Sequence, residues 1–412
     1  MGIKLNINLD NWIYKLLCWY AFFVPLEKIL EVFFNIDTIF KPYRVLALAI
    51  LLSFGIRTVY YRNKNQQLKQ DFFLYLIFIY GLVITIYKLI TTQFHLGYLY
   101  NDAFQIGLYL GVFVVIRHVN ISSQQIRNIL KFLTVGVLIN AAYVFIKFYV
   151  LQGYRRDGGF MDNPNYLALS LVVAILLLIF RRAAFAGIYK KLLWLAILGL
   201  LGYVFIISGS RTGLLVLGIT VLLSFYFLSM KEKTILICFS LVIGTMLIIG
   251  GMDKLKDTGP LFLVNRIDKK KSSEDVRIPI WKGVIKASQE SNFTGLGIGQ
   301  FKHRFHEFYY EENNDLIKRM VKRGYFLSPH SDYLALLVVY GIIGLLSYLI
   351  FLILTSKHIL ERLRKVNSNG EKTHLQYCFL IFISLILFGI TAENFNHPLY
   401  WILLSTSTKL QF

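Results

Sequence analysis

Apolar runs long enough to cross a bilayer recur along the whole length of this chain, and they leave it few ways to fold. Each run is roughly 18 to 22 residues, and a helix of that length spans the about 30 Å of hydrocarbon in a membrane. Hydrophobic residues make up 56% of the 412 positions and charged ones only 16%, which excludes an ordinary soluble domain. The alternating polar and apolar residues of an outer-membrane barrel are absent. The expected fold is therefore all-α: a polytopic membrane protein of about 12 transmembrane helices, with one long extracytoplasmic loop carrying short helices. The spans fall near 12–30, 43–60, 71–90, 102–118, 127–150, 164–181, 191–208, 212–230, 233–250, 332–355, 374–392 and 396–410. The last is short enough to be re-entrant. Pro25 and several charges between 21 and 42 point to an irregular first span.

A formal net charge of +21 would suggest a nucleic-acid partner for a soluble protein. Here most Lys and Arg sit in short loops between apolar runs, where they set topology, and no nucleic acid is expected. Basic loops carry Arg57, Arg62, Lys64 and Lys69; Arg117 and Arg127; Arg181, Arg182, Lys190 and Lys191; Lys231 and Lys233; and Lys357, Arg362, Arg364, Lys365 and Lys372. They alternate with loops poorer in positive charge. The positive-inside rule then puts the basic loops and both termini in the cytoplasm. Nine helices occupy 1–250, an extracytoplasmic loop occupies 251–331, and three helices occupy 332–412. The connections near 151–163, 208–212 and 393–397 share the outer face. The N-terminal stretch reads as the first span, since no small-residue cleavage site follows it. Cys18, Cys238 and Cys378 lie inside apolar runs without metal or disulfide spacing and read as buried small hydrophobes.

This topology brings Arg211 and His330 to one membrane surface. Arg211 stands in Ser208-Gly209-Ser210-Arg211-Thr212-Gly213. An arginine at a span end either snorkels to headgroups or, flanked by small residues on the outer side, offers its planar fork to phosphate oxygens. His330 stands in Pro329-His330-Ser331-Asp332-Tyr333-Leu334, where a polar loop meets an apolar run. It is either a structural helix-entry residue or a base for a sugar hydroxyl near neutral pH, with Asp332 near enough in sequence to tune or orient the ring. The segment from Tyr154 to Asn165 holds Arg155, Arg156, Gly158, Gly159 and Asn163; it is either a plain turn or an anion clamp. Glu393, at the outer end of the eleventh span, is placed to contact an acceptor or an arginine. Residues 276–288 put Ile280, Trp281, Val284 and Ile285 on one helical face, the pattern of an interfacial amphipathic helix. Gly295-Leu296-Gly297-Ile298-Gly299 lacks the strand–turn–helix setting of a dinucleotide site and reads as a tight loop. His303 and His306 have no neighbour to complete a metal site. No Asp-x-Asp pair marks a nucleotide-sugar metal site either, so no metal or cofactor is expected. A leaving diphosphate would have to be neutralised by arginines and lysines.

Taken together, Ser-Gly-Ser-Arg-Thr-Gly at 208–213, Gly-Leu-Gly-Ile-Gly-Gln-Phe at 295–301, Pro-His-Ser-Asp-Tyr-Leu at 329–334 and Tyr-Gly-Ile-Ile-Gly-Leu-Leu at 340–346 resemble the O-antigen ligase and polymerase superfamily of bacterial polyprenyl-diphosphate glycan transferases. The likeness is best over 155–350. It implies an enzyme of lipopolysaccharide or other cell-envelope polysaccharide biosynthesis, in the bacterial inner membrane, with its active site facing the periplasm or cell exterior. By motif, His330 resembles the essential loop histidine, Arg211 the arginine after the seventh span, and Arg277, just before Trp281, the loop arginine. Arg155 and Arg156 match by loop position alone. Many members carry Asn after the histidine where this chain has Ser331.

The expected activity is that of a metal-independent, inverting glycosyltransferase using an undecaprenyl-diphosphate glycan as donor. Membrane lipids and a lipid A core or glycan acceptor would be its other partners. His330, Arg211 and Arg277 are the candidate catalytic residues; Arg155, Arg156, Asn163, Asp332 and Glu393 are the candidate substrate-binding ones. Compact length and a single long outer loop favour a ligase, with a repeat-unit polymerase as the alternative. A lipid-glycan transporter or flippase is the rival of another class; it would place polar residues near mid-span, whereas here they cluster at the outer face.

Overall fold

Backbone polar groups inside a bilayer have no water to bond, so the apolar runs close their hydrogen bonds internally as helices. The computed structural model describes residues 8–35, 41–60, 69–91, 96–150, 157–181, 187–228, 277–309 and 328–409, with isolated positions at 185, 230, 233, 234, 237 and 322. The fold is all-α, with no strand among the described residues. The helices are α1 (Leu9–Phe23), α2 (Ile29–Phe34), α3 (Pro42–Tyr60), α4 (Lys69–Thr91), α5 (Leu96–His118), α6 (Ser123–Tyr149), α7 (Pro164–Phe180), α8 (Ile188–Ser208), α9 (Arg211–Phe227), α10 (Arg277–Glu290), α11 (Gln300–Tyr309), α12 (Asp332–Lys365), α13 (Asn369–Thr391) and α14 (Pro398–Thr408). Seven of them (α3, α4, α5, α6, α8, α12 and α13) are long and apolar enough to cross a membrane. The shorter α7 and α9 are also apolar helices, and the chain is a multi-pass membrane protein.

Two expected spans take a different form, and the expected ninth span, 233–250, lies almost wholly outside the described residues. The first span stops at Phe23: Pro25 starts a 3₁₀ turn over Val24–Leu26, and Asn35 closes α2 in the left-handed region. The final stretch folds as α14, 11 residues with every residue buried. At 1.5 Å per residue it is roughly 17 Å long, about half a bilayer, and it packs inside the bundle between α5 and α13.

Antiparallel packing sorts the helix ends into two groups. At one end Arg57 pairs with Asp10. Beside it, Arg117 donates to both oxygens of Asp71 at 2.8 and 2.9 Å and to the carbonyl of Thr408 at 2.7 Å, while Lys409 caps the carbonyls of Ile116 and Val119. Arg127, Arg181, Arg362, Arg364 and Lys365 belong to helix termini of the same end. The other end gathers the starts of α7, α9, α12 and α14 and the finish of α13. Lys41 there bridges Glu27 at 3.2 Å and Asp162 at 2.6 Å.

α12 is broken at Gly341, whose φ of +65° and ψ of −169° interrupt the helix. A break in an apolar helix strands backbone groups, and another segment has to satisfy them. Residues 293–297 do so. Leu296 and Gly297 donate to the carbonyls of Val338 and Val339 at 2.9 and 3.0 Å, and the N–H of Ile342 donates to the carbonyl of Phe293 at 2.9 Å. The glycine-rich loop is thus a clamp on the helix break. A Cβ on Gly295 would lie 2.6 Å from the carbonyl oxygen of Val339, and one on Gly341 would lie 2.5 Å from that of Phe293.

The clamp carries α10 and α11 onto the N-terminal part of α12. Ile280, Val284 and Ala287 of α10 pack with Phe301, Phe305, Phe308 and Tyr309 of α11 and Val338 of α12. The buried face of α10 is rotated from the expected one. Gly283 is buried against the Tyr309 ring with no room for a Cβ, which turns α10 toward α11 and leaves Ile285 42% exposed.

Gly341→Ala is expected to destabilise the protein by at least about 1–3 kcal/mol, because a left-handed φ and a steric overlap coincide there. Gly107→Ala, on α5 with open space around it, should leave the melting temperature level or slightly higher. Thermal unfolding of both purified variants checks this; equal melting temperatures would contradict the clamp.

Candidate functional site

Between α5, α11 and the starts of α7 and α12, the structure forms a cavity of about 280 Å³. Its polar wall is built by Asp102 and Gln105 of α5, Asn163, Asn165 and Tyr166 at the start of α7, Lys302 of α11, Ser328 and His330 before α12, and Glu393 and Asn396 after α13. Tyr340, Phe301 and Phe395 supply aromatic surface. Three of the residues singled out in the sequence, His330, Asn163 and Glu393, therefore share one cavity.

His330 is held in an unusual conformation. Its φ is +51°, a region that non-glycine residues occupy at a cost of about 1–3 kcal/mol and keep only where their surroundings over-determine it. The pins are visible on both sides. Its own N–H donates to Ser328 Oγ at 3.4 Å, and that hydroxyl donates to Glu393. Trp281 Nε1 donates to the carbonyl of Pro329 at 3.1 Å. Ser331 caps α12 by accepting from the N–H of Leu334 and donates to the carbonyl of Gly389 at 3.2 Å. Asp332, 0% exposed, accepts from the backbone N–H groups of Asn394 and Phe395 at 2.6 and 2.8 Å. Its carboxylate thus bonds the 392–397 turn and lies behind the cavity wall; it fixes the backbone that carries His330.

Glu393 is half-buried. Asn396 Nδ2 donates to it at 2.6 Å, opposite the bond from Ser328. Withdrawal from solvent pushes its carboxyl up from the ordinary carboxylate range, while the bonds from Ser328 and Asn396 pull the other way. Below the cavity floor Tyr166 donates to the carbonyl of Glu393 at 2.9 Å and stacks on His397 at 3.8 Å between ring centres. His397 Nε2 faces Glu27 at 3.5 Å, which joins the floor to the buried pair Glu27 and Lys41 and, through Lys41, to the exposed Asp162.

Arg211 does not line the cavity. It is exposed at the first position of α9. The motif around it is a helix–helix turn: Gly209 ends α8 at φ +60°, and Ser210 caps α9 through the N–H of Gly213 at 3.0 Å. Its neighbours nevertheless touch the cavity wall. Ser210 donates to Asn165 Oδ1 at 2.8 Å, and the Thr212 hydroxyl meets that of Thr391 at 2.6 Å, two residues before Glu393. Arg277 opens α10 one turn before Trp281, the residue that pins Pro329, and it too is off the wall. Arg155 and Arg156 lie outside the described residues. Lys302 and Asp102, paired at 3.6 Å, were not singled out in the sequence. Asp102 is an ionisable residue at the opening of an apolar run, and Lys302 directly follows the glycine-rich motif; only their juxtaposition marks them.

A carboxyl raised by burial favours the folded state most while protonated. Its stabilising contribution is complete in acid, below the ordinary glutamate range, and is lost as pH climbs through the raised folded value. Glu393→Gln fixes the neutral form and keeps a partner for Ser328. It is expected to flatten the fall in melting temperature as pH rises above the ordinary glutamate range, about 4. Parallel slopes for the two proteins would remove Glu393 from that pH dependence.

Residues 195–349 match the family model described as O-antigen ligase. No curated protein matches the chain. The matched segment runs from α8 to α12 and contains Arg211, Arg277, Lys302 and His330. The chain is thus a multi-pass α-helical membrane protein whose residues 195–349 are similar to the O-antigen ligase family.

Proposed function

We propose that the protein is a metal-independent, inverting glycosyltransferase that moves a glycan from undecaprenyl diphosphate to an acceptor hydroxyl at the outer face of the bacterial cytoplasmic membrane. The lipid A core is the proposed acceptor, which makes the protein an O-antigen ligase. The observation that carries this reading is His330, held at a positive φ on the wall of a cavity at the bundle end opposite the basic loops. A strained histidine pinned by four surrounding residues fits a group whose placement matters to chemistry.

In this mechanism the acceptor hydroxyl oxygen attacks the anomeric carbon of the donor glycan. His330 takes the hydroxyl proton as the new C–O bond forms. The bond from the anomeric carbon to the diphosphate oxygen breaks, and undecaprenyl diphosphate leaves with the electron pair. Arg211 and Arg277 stabilise that developing charge. The position of Arg211 supports its part. A cation at the positive end of a helix is unfavourable on its own account and becomes favourable once an anion binds between the guanidinium and the helix terminus. Asn163 and Glu393 orient the acceptor, and Asp332 acts through the backbone it fixes.

The opposite end of the bundle supports an enzyme over a transporter. The ties of Arg117 to Asp71 and Thr408, and of Lys409 to Ile116 and Val119, seal the helices there, and the buried α14 fills the interior between the two ends.

His330→Ala is expected to lower transfer per folded protein by about 10²–10⁴-fold while leaving donor binding largely intact. Arg211→Lys should instead weaken the donor contact, because an ammonium cannot reproduce a bidentate fork. Reconstitution with a defined lipid-linked donor, offered either lipid A core or free repeat units, checks both variants and separates ligase from polymerase. Normal turnover by His330→Ala would remove the imidazole from the reaction.

A further inference from the structure

Arg211 and Arg277 are the cations that the motifs offer the donor's anion, yet among the described residues the cavity wall carries one lysine or arginine, Lys302. Arg211 and Arg277 lie off the wall. Lys302 sits in the first turn of α11, a helix of ten residues; Gly299 just before it, and Phe301 and Lys302 within its first turn, all line the cavity. The positive end of that helix and the ammonium group therefore act on the same space.

Its pairing is informative. Lys302 Nζ stands 3.6 Å from Asp102 Oδ1, and the two side chains are 32% and 27% exposed. A tight charge-assisted hydrogen bond measures about 2.7–2.9 Å, so this contact is an ion pair with room to part. Lysine is a point charge on a flexible stem and reorients readily toward a new anion. Asp102 holds the ammonium at the wall, beside His330 and Glu393, and leaves the cavity between them.

We propose that Lys302, with the first turn of α11, binds the diphosphate of the lipid-linked donor inside this cavity, and that Asp102 is a resident anion which the diphosphate displaces. The proposal rests on the reading of the donor as a polyprenyl diphosphate. It gives the leaving group a cation within the chamber that holds the histidine, whereas Arg211 and Arg277 are off its wall. Burial favours the neutral form of Glu393, which lessens its repulsion of such an anion.

The two members of the pair make opposite predictions. Lys302→Gln removes the cation and should weaken diphosphate binding by roughly tenfold or more. Asp102→Asn removes the competing anion and should tighten it. Were the pair only a latch between α5 and α11, both substitutions would break the same bridge and act in the same direction. The test uses the full-length protein in phosphatidylcholine nanodiscs, with geranylgeranyl diphosphate and inorganic diphosphate as probes and melting temperature as a folding control. Both probes should show the same dependence on Lys302, the lipid-linked one binding more tightly.

Undiminished binding by folded Lys302→Gln would overturn the proposal and leave the donor reading standing. Failure of the wild-type protein to bind either probe would overturn both. Weakening by both substitutions would assign the pair to the latch and overturn the anion site. Equal occupancy by phosphatidylglycerol, seen as loss of probe binding when that lipid is added, would also overturn it, since the site would then take any phosphate headgroup. Should Lys302→Gln fail to fold, Asp102→Asn decides alone, and binding no tighter than wild type would sink the proposal.

Discussion

The buried carboxylate of Asp332 is the contact on which the cavity-bearing end of this protein depends. It accepts two backbone N–H groups from the 392–397 turn and so joins the first residue of α12 to the segment between α13 and α14. His330 lies two residues before it, and Glu393 lies one residue before its partner Asn394. A carboxylate with such partners is costly to remove, because each orphaned N–H would lose about 1–3 kcal/mol in an interior without water. The bonds from Trp281 to Pro329 and from Ser328 to Glu393 are meaningful only against this fixed frame. Strain at His330 is sustained because its neighbours cannot relax.

The same constraint, that buried backbone must be satisfied, explains how α10 and α11 are placed. Gly341 interrupts an apolar helix, and the glycine-rich loop at 293–297 answers with three backbone hydrogen bonds. One break thereby determines where α10 and α11 sit, and with them Trp281, Arg277 and Lys302. Motifs that read as separate signatures in the chain, around residues 295, 330 and 340, are parts of one structural unit. The glycines supply conformation and close approach; the histidine and lysine they position supply the chemistry.

The helical runs were legible because bilayer thickness imposes a length and apolarity that composition cannot hide. Pro25 marked the irregular first span, and the alternation of basic loops foretold that Arg211 and His330 would share one end. Other features needed tertiary contacts. Gly341 reads as an ordinary residue of an apolar run because its partners, 293–297, are remote in sequence. The buried face of α10 is set by Gly283 against Tyr309, which periodicity alone does not weigh, so Ile285 was expected inward and lies outward. In the site, His330, Asn163 and Glu393 were legible as polar residues at span ends. Asp332 was close enough in sequence to suggest a partner of the His330 ring, but its carboxylate bonds the backbone of a different turn. Lys302 and Asp102 become a pair only when α11 folds against α5, and no local pattern announces that.

The central claim is that glycan transfer takes place in the cavity between α5, α11, the start of α12 and the 392–397 turn. The most direct measurement is a cryo-EM structure of the full-length protein in nanodiscs with a lipid-linked diphosphate glycan bound. The account predicts diphosphate density in this cavity, beside Lys302, with the anomeric carbon turned toward His330. Density for the diphosphate at the basic end of the bundle, or on a lipid-facing surface remote from His330, would contradict it.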